Sequence, residues 1–119
     1  MASKPIVTPT ATIIADSNPI RTITDKRGRQ ISWRRMSVLD QARMMRAVGS
    51  ENSANSAFCT IAMVAQMVTE IDGIPNPPAR NLMQIDAAID RLGDDGYMAV
   101  SDDLVEMVGD SNVQDDAKN

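Results

Sequence analysis

Residues 25–40 read DKRGRQISWRRMSVLD, and this stretch decides how the chain begins to fold. Asp25 suits the first position of a tight turn, and Gly28 accepts the left-handed backbone that closes one. After the turn, Ile31, Trp33 and Arg35 alternate with Gln30, Ser32 and Arg34, the period of two that marks a strand over Gln30–Met36. Before it, Ile20–Ile23 reads as the partner strand, so the segment is a β-hairpin. A lone hairpin is marginal in water, so Ile31 and Trp33 must pack on later elements. Ser37 then begins a helix: its hydroxyl can accept a backbone N–H three residues on, where Asp40 also favours the helix N-terminus.

Outward from this stretch, the pattern changes to helical spacing. The first helix runs to about Val48, with Leu39, Ala42, Met45 and Val48 on one stripe and Gly49 as its stop. A second helix, from Ser53 or Asn55 to Val68, is apolar round most of its circumference, as a central core element or an interface helix would be. Asp72-Gly73 between Ile71 and Ile74 signals a tight turn, that of a second, very short hairpin, and Asn76-Pro77-Pro78 continues as an extended connector. A third helix spans Arg80–Leu92 with an unbroken seam of Leu82, Ile85, Ile89 and Leu92. Gly93 ends it, and Asp94-Asp95-Gly96 turns the chain into a fourth helix reaching Val108 with Tyr97, Val100, Leu104 and Val108 inward. The expected fold is α+β and mostly α: an N-terminal β-hairpin followed by a four-helix bundle-like domain, its last two helices an antiparallel hairpin. Trp33, Leu39, Phe58, Ile61, Leu82, Ile85, Ile89, Leu92 and Leu104 are its expected core. Residues 1–18 read as a flexible arm, 19–108 as the single folded domain and 109–119 as a disordered acidic tail.

The 119 residues suit one domain. There is no histidine and a single cysteine, Cys59. Histidine-dependent triads, intrachain disulfides and cysteine zinc sites are therefore excluded, and a reducing cytosol is the natural setting. The carboxylates Asp86, Asp90 and Asp94, and Asp102, Asp103 and Glu106, read as solvated helix faces. Cys59 reads as a packed thiol and each glycine as a turn or cap. No enzymatic activity, cofactor or metal is expected. The most apolar stretch, Ala54–Val68, is too short and polar to span a membrane.

Charge is unevenly spread. Residues 1–50 carry a net +6 and residues 51–119 a net −10, within a total of −4. Such a split suits a polar contact surface, self-association or charge matching inside the fold. Nine methionines against three aromatic residues suit a surface that re-packs around partners. Met44, Met63 and Met67 are expected at the edge of an exposed apolar groove, and Arg34, Arg35 and Arg43 form a basic face beside it.

The order of segments resembles a known family. The turn and basic strand leading into Arg34-Arg35-Met36-Ser37-Val38-Leu39-Asp40, then Glu51–Asn55 before a small-residue apolar helix, then Val68–Pro75 and Ile89–Gly96, are similar to the tail assembly chaperones of long-tailed bacteriophages and prophages. The resemblance covers roughly residues 20–108. Met36 stands where the family pattern has leucine, and the resemblance leaves the polar N-terminal arm unexplained. The resemblance implies a mostly helical, non-enzymatic protein that binds the tape measure protein and keeps it soluble in the host cytoplasm during tail assembly. Such proteins are generally absent from the mature virion, and a frameshifted longer form is common among them. Two alternatives fit the same residues: a structural head–tail or tail component of the virion, and a small nucleic-acid-binding regulator that uses the basic hairpin. The acidic total charge and single nearby aromatic, Trp33, weigh against the regulator.

Overall fold

The structure, a computed structural model, describes residues 18–118, with side chains as far as Gly109. The anticipated N-terminal arm, apart from Asn18, lies outside the described residues. Strands β1 (Arg21–Thr24) and β2 (Gln30–Trp33) form the expected antiparallel hairpin, with Ile23 opposite Ile31. Gly28 closes the turn at φ 81°. Asp25 organises it: one carboxylate oxygen accepts the backbone N–H groups of Arg27 and Arg29, each at 2.9 Å.

Helix α1 (Val38–Val48) begins with a reciprocal cap: Ser37 Oγ accepts from Asp40 N, and the Asp40 carboxylate accepts from Ser37 N. Helix α2 (Ser56–Met67) is capped by Asn55, which accepts from Phe58 N. At its end α2 passes directly into strand β3 (Val68–Ile71), which pairs antiparallel with β2. Asp72 and Gly73, at φ 52° and 79°, then turn the chain into the two-residue strand β4 (Ile74–Pro75). Two consecutive positive φ values give the primed turn that matches strand twist. The result is a four-stranded antiparallel sheet in the order β1-β2-β3-β4.

Helix α3 (Leu82–Lys118) closes the fold, broken at Gly93 by a non-helical φ of 70° and ψ of 178°. The α+β class therefore holds, but the four-helix bundle does not: a sheet and three helices take its place. The expected third and fourth helices are the two arms of α3, joined at one residue rather than through an Asp94-Asp95-Gly96 turn. Arg29 explains how so sharp a break is tolerated. Its guanidinium donates to the carbonyl oxygens of Arg91 (2.8 Å) and Leu92, which the break leaves without helical partners. Asp25 holds the same guanidinium by its Nε at 2.9 Å. Beyond the break Gly96 lies against Leu92, where an added Cβ would stand 2.7 Å from a leucine methyl. The second arm continues as helix across residues 109–118, where sequence suggests a disordered tail; once a helix is nucleated, each further residue adds a hydrogen bond.

Two buried clusters replace the expected single core. One lies under the sheet and includes Ile31, Trp33, Val64, Val68, Leu92 and Val100. The other joins α1, α2 and the first arm of α3 through Met44, Val48, Ala62 and Ile85. Met36 and Ile89 pack against both. Of the anticipated core, Trp33, Ile85 and Leu92 are fully buried, and Phe58, Ile89 and Leu104 are half-buried. Leu39, Ile61 and Leu82 are exposed instead, Leu39 by 53%. The α1 stripe is rotated to Met44, Ala47 and Val48, all in the later turns of the helix, while Val38 and Leu39 of the first turn are exposed.

Candidate partner-binding groove

The link from β2 to α1 carries Arg34, Arg35 and Met36. Arg34 N donates to Met67 O at 3.1 Å, which continues the sheet contact past a bulge at Ser32/Trp33 and fixes this link beside the end of α2. Across from it, the segment Pro75–Ala79 is held by two side-chain amides. Asn76, almost fully buried, donates to Ala65 O (3.1 Å) and Val68 O (2.9 Å), covering carbonyls at the α2 C-terminus. Its own oxygen accepts from Arg91 at 2.8 Å. Gln66 Oε1 accepts from Ala79 N at 2.9 Å. With three prolines at 75, 77 and 78, the segment has little freedom left and stands as a rigid wall.

Between link and wall lies a groove of about 320 Å³. Met36, Met44, Met67 and Val68 supply its apolar lining, and Arg34, Arg35 and Arg43 its cationic lining. Five of the six residues singled out from the sequence (Arg34, Arg35, Arg43, Met44 and Met67) thus line one depression. The sixth, Met63, lines an adjoining hollow that shares Arg35, Met36 and Met67 with it. The methionine positions need one correction: Met44 and Met67, at 7% and 4% exposure, belong to the buried clusters, not to an exposed edge. Only Met63 is half-buried. Met44 and Met67 line the groove by the little surface they retain, because Met44 is packed into the cluster of α1, α2 and α3 and Met67 into the cluster under the sheet.

The basic residues divide into two sets. Arg21 grips Asp103 of α3 through two bonds of 2.8 and 2.9 Å, and Trp33 Nε1 donates to the same carboxylate at 2.9 Å. The Arg21 bonds are the first cause of the lowered Asp103 pKa; partial burial opposes them and the indole assists. Arg29 is held by Asp25. Burial of that carboxylate would raise its pKa, but the bonds from Arg29 and Arg27 outweigh burial and hold it below the ordinary value. Charge matching within the fold therefore accounts for Arg21 and Arg29. Arg34 and Arg43 are exposed and make no ion pair among the described residues.

No family model, curated protein or solved structure matches this chain. The groove must accordingly be read from its own chemistry. Asp86, Asp90 and Asp94 are exposed on α3, and Cys59 is half-buried against the second cluster. Among the described residues no helix is long and apolar enough to cross a membrane. The roles of Asn76 and Gln66 in the groove wall are not legible in the sequence, because both depend on contacts made only in the fold. The one local hint was an asparagine between two prolines, a position where its side chain rather than its neighbours must supply hydrogen bonds.

Proposed function

We propose that this protein is a phage tail assembly chaperone that binds the tape measure protein through the Arg34–Met36/Pro75–Ala79 groove and keeps it soluble in the host cytoplasm. One observation carries the reading: five of the six residues expected to bind a partner line a single groove with a rigid wall, an apolar methionine lining and two exposed arginines, Arg34 and Arg43, that make no ion pair among the described residues. Methionine adapts to differently shaped apolar side chains, which suits a client presenting many related segments. The rigid wall limits the ordering cost of each encounter. The resemblance of residues 20–108 to the tail assembly chaperones supplies the identity of the client. On this reading the protein works by binding and not by catalysis, and it leaves before the virion matures.

The test is co-expression with the cognate tape measure protein. Wild-type protein holds the client in the soluble fraction and co-purifies with it. Pro78→Trp, which places a large ring at an exposed position on the groove wall, abolishes both while circular dichroism stays native. Met63→Asp weakens the adjoining hollow. Met67→Asp is not informative, because it buries a carboxylate in the core. Retention of the client by Pro78→Trp and Met63→Asp alike refutes the groove as its seat.

A further inference from the structure

Resting on the reading of this groove as a partner seat, we infer that it selects acidic segments: apolar side chains flanked by Asp or Glu. The fold uses Arg21 and Arg29 internally, yet Arg34 and Arg43, which line the same apolar depression, are exposed and make no ion pair among the described residues. Asp40 is the acidic side chain of the lining, and its carboxylate already serves the α1 cap. The groove is therefore cationic in excess, and it lies in the basic half of a chain whose total charge is negative. A partner contacting it as a flat apolar surface would leave two guanidinium groups desolvated and unpaired, which is costly; carboxylates spaced on both sides of an apolar residue convert that cost into charge-assisted hydrogen bonds.

Gln66 points the same way. Ala79 N–H can only donate, so the amide oxygen must face it, and this fixes the Nε2 group on the other side. That Nε2 is buried and has no hydrogen-bond partner among the described residues. Gln66 is one of the residues that line the groove, so an acceptor on a partner seated there is the complement this unpaired donor lacks. A carboxylate or a main-chain carbonyl of the partner meets that need; an ammonium or guanidinium group does not. The volume of about 320 Å³ is at the small end for ligand pockets, so the groove receives side chains from a segment lying across it rather than enclosing a whole helix.

The experiment uses two fluorescein-labelled synthetic peptides with the same paired leucines, one flanked by glutamates and one by lysines, titrated against the full-length protein by fluorescence anisotropy. The glutamate peptide binds about tenfold or more tighter at low salt, and the advantage shrinks as ionic strength rises. In the double variant Arg34→Glu/Arg43→Glu, whose exposed substitutions leave the fold intact by circular dichroism, the preference reverses to the lysine peptide. Equal binding of the two peptides, or a glutamate preference that survives the charge reversal, overturns the inference. If peptide discrimination fails while Pro78→Trp still releases the tape measure protein, only the acidic selectivity is wrong and the groove reading stands.

Discussion

Replacing Arg29 by alanine should damage the fold at the point where sheet and helix are joined. In the native protein its guanidinium bonds Asp25 on one side and the carbonyls of Arg91 and Leu92 on the other. The Asp25 side chain is wholly buried and Arg29 itself only 16% exposed, so the pair is poorly screened by solvent. Removing one partner of a buried pair typically costs about 3–5 kcal/mol. Part of that is recovered here, because Asp25 keeps its bonds to Arg27 N and Arg29 N and water reaches the freed carbonyls. A loss of about 2–4 kcal/mol remains, a substantial fraction of the ~5–15 kcal/mol that stabilises a typical domain. Thermal and urea melts followed by circular dichroism measure it, and Arg29→Lys recovers only part because an ammonium cannot span both carbonyls and the carboxylate. The acid limb adds a second readout. The folded pKa of Asp25 is depressed, so its contribution is present above the unfolded carboxylate pKa and is lost as pH falls through the lower folded value. Arg29→Ala should therefore flatten the fall in stability below about pH 4. A loss under about 1 kcal/mol with an unchanged acid limb would refute the role given to Arg29 at the α3 break.

Ile85→Ala, at a fully buried position, should cost about 2–5 kcal/mol in a urea melt, whereas Leu39→Ala, on the exposed first turn of α1, should fall within about 0.5 kcal/mol. Asn76→Ala leaves the carbonyls of Ala65 and Val68, and Arg91, without their partner; a destabilisation of about 1–3 kcal/mol is expected, with loss of groove binding at temperatures where the domain stays folded. Asp103→Asn should lower stability at neutral pH and remove the part of the acid-induced loss that arises as pH falls through the depressed Asp103 pKa, which pH-dependent melts resolve.

What the sequence disclosed was local chemistry. Asp25 and Gly28 specify the first turn, Ser37 and Asp40 the start of α1, Asn55 the start of α2 and Asp72-Gly73 the second turn; each acts within a few residues, and each stands in the structure. The second hairpin is legible in Asp72-Gly73, but its junction with α2 is not: no glycine, proline or cap residue separates Met67 from Val68, so helical spacing runs on through Val68 and hides the pairing of β3 with β2 that joins both hairpins into one sheet. The break at Gly93 was visible, but its shape depends on Arg29, sixty-three residues from Leu92 in the chain. The same holds for Asp103, which reads as one more solvated carboxylate until Arg21 and Trp33 are brought to it. For the groove, composition pointed to the correct residue types, yet Met44 and Met67 proved buried because sulfur-containing side chains here fill the helix contacts as well as line the depression.

The central claim is that the groove between Arg34–Met36 and Pro75–Ala79 seats the client. Quantitative co-purification of the cognate tape measure protein with wild-type and Pro78→Trp proteins of equal stability tests it most directly. The account predicts a stoichiometric soluble complex with the wild type and insoluble, unbound client with Pro78→Trp. An undiminished soluble complex with the blocked groove would contradict it.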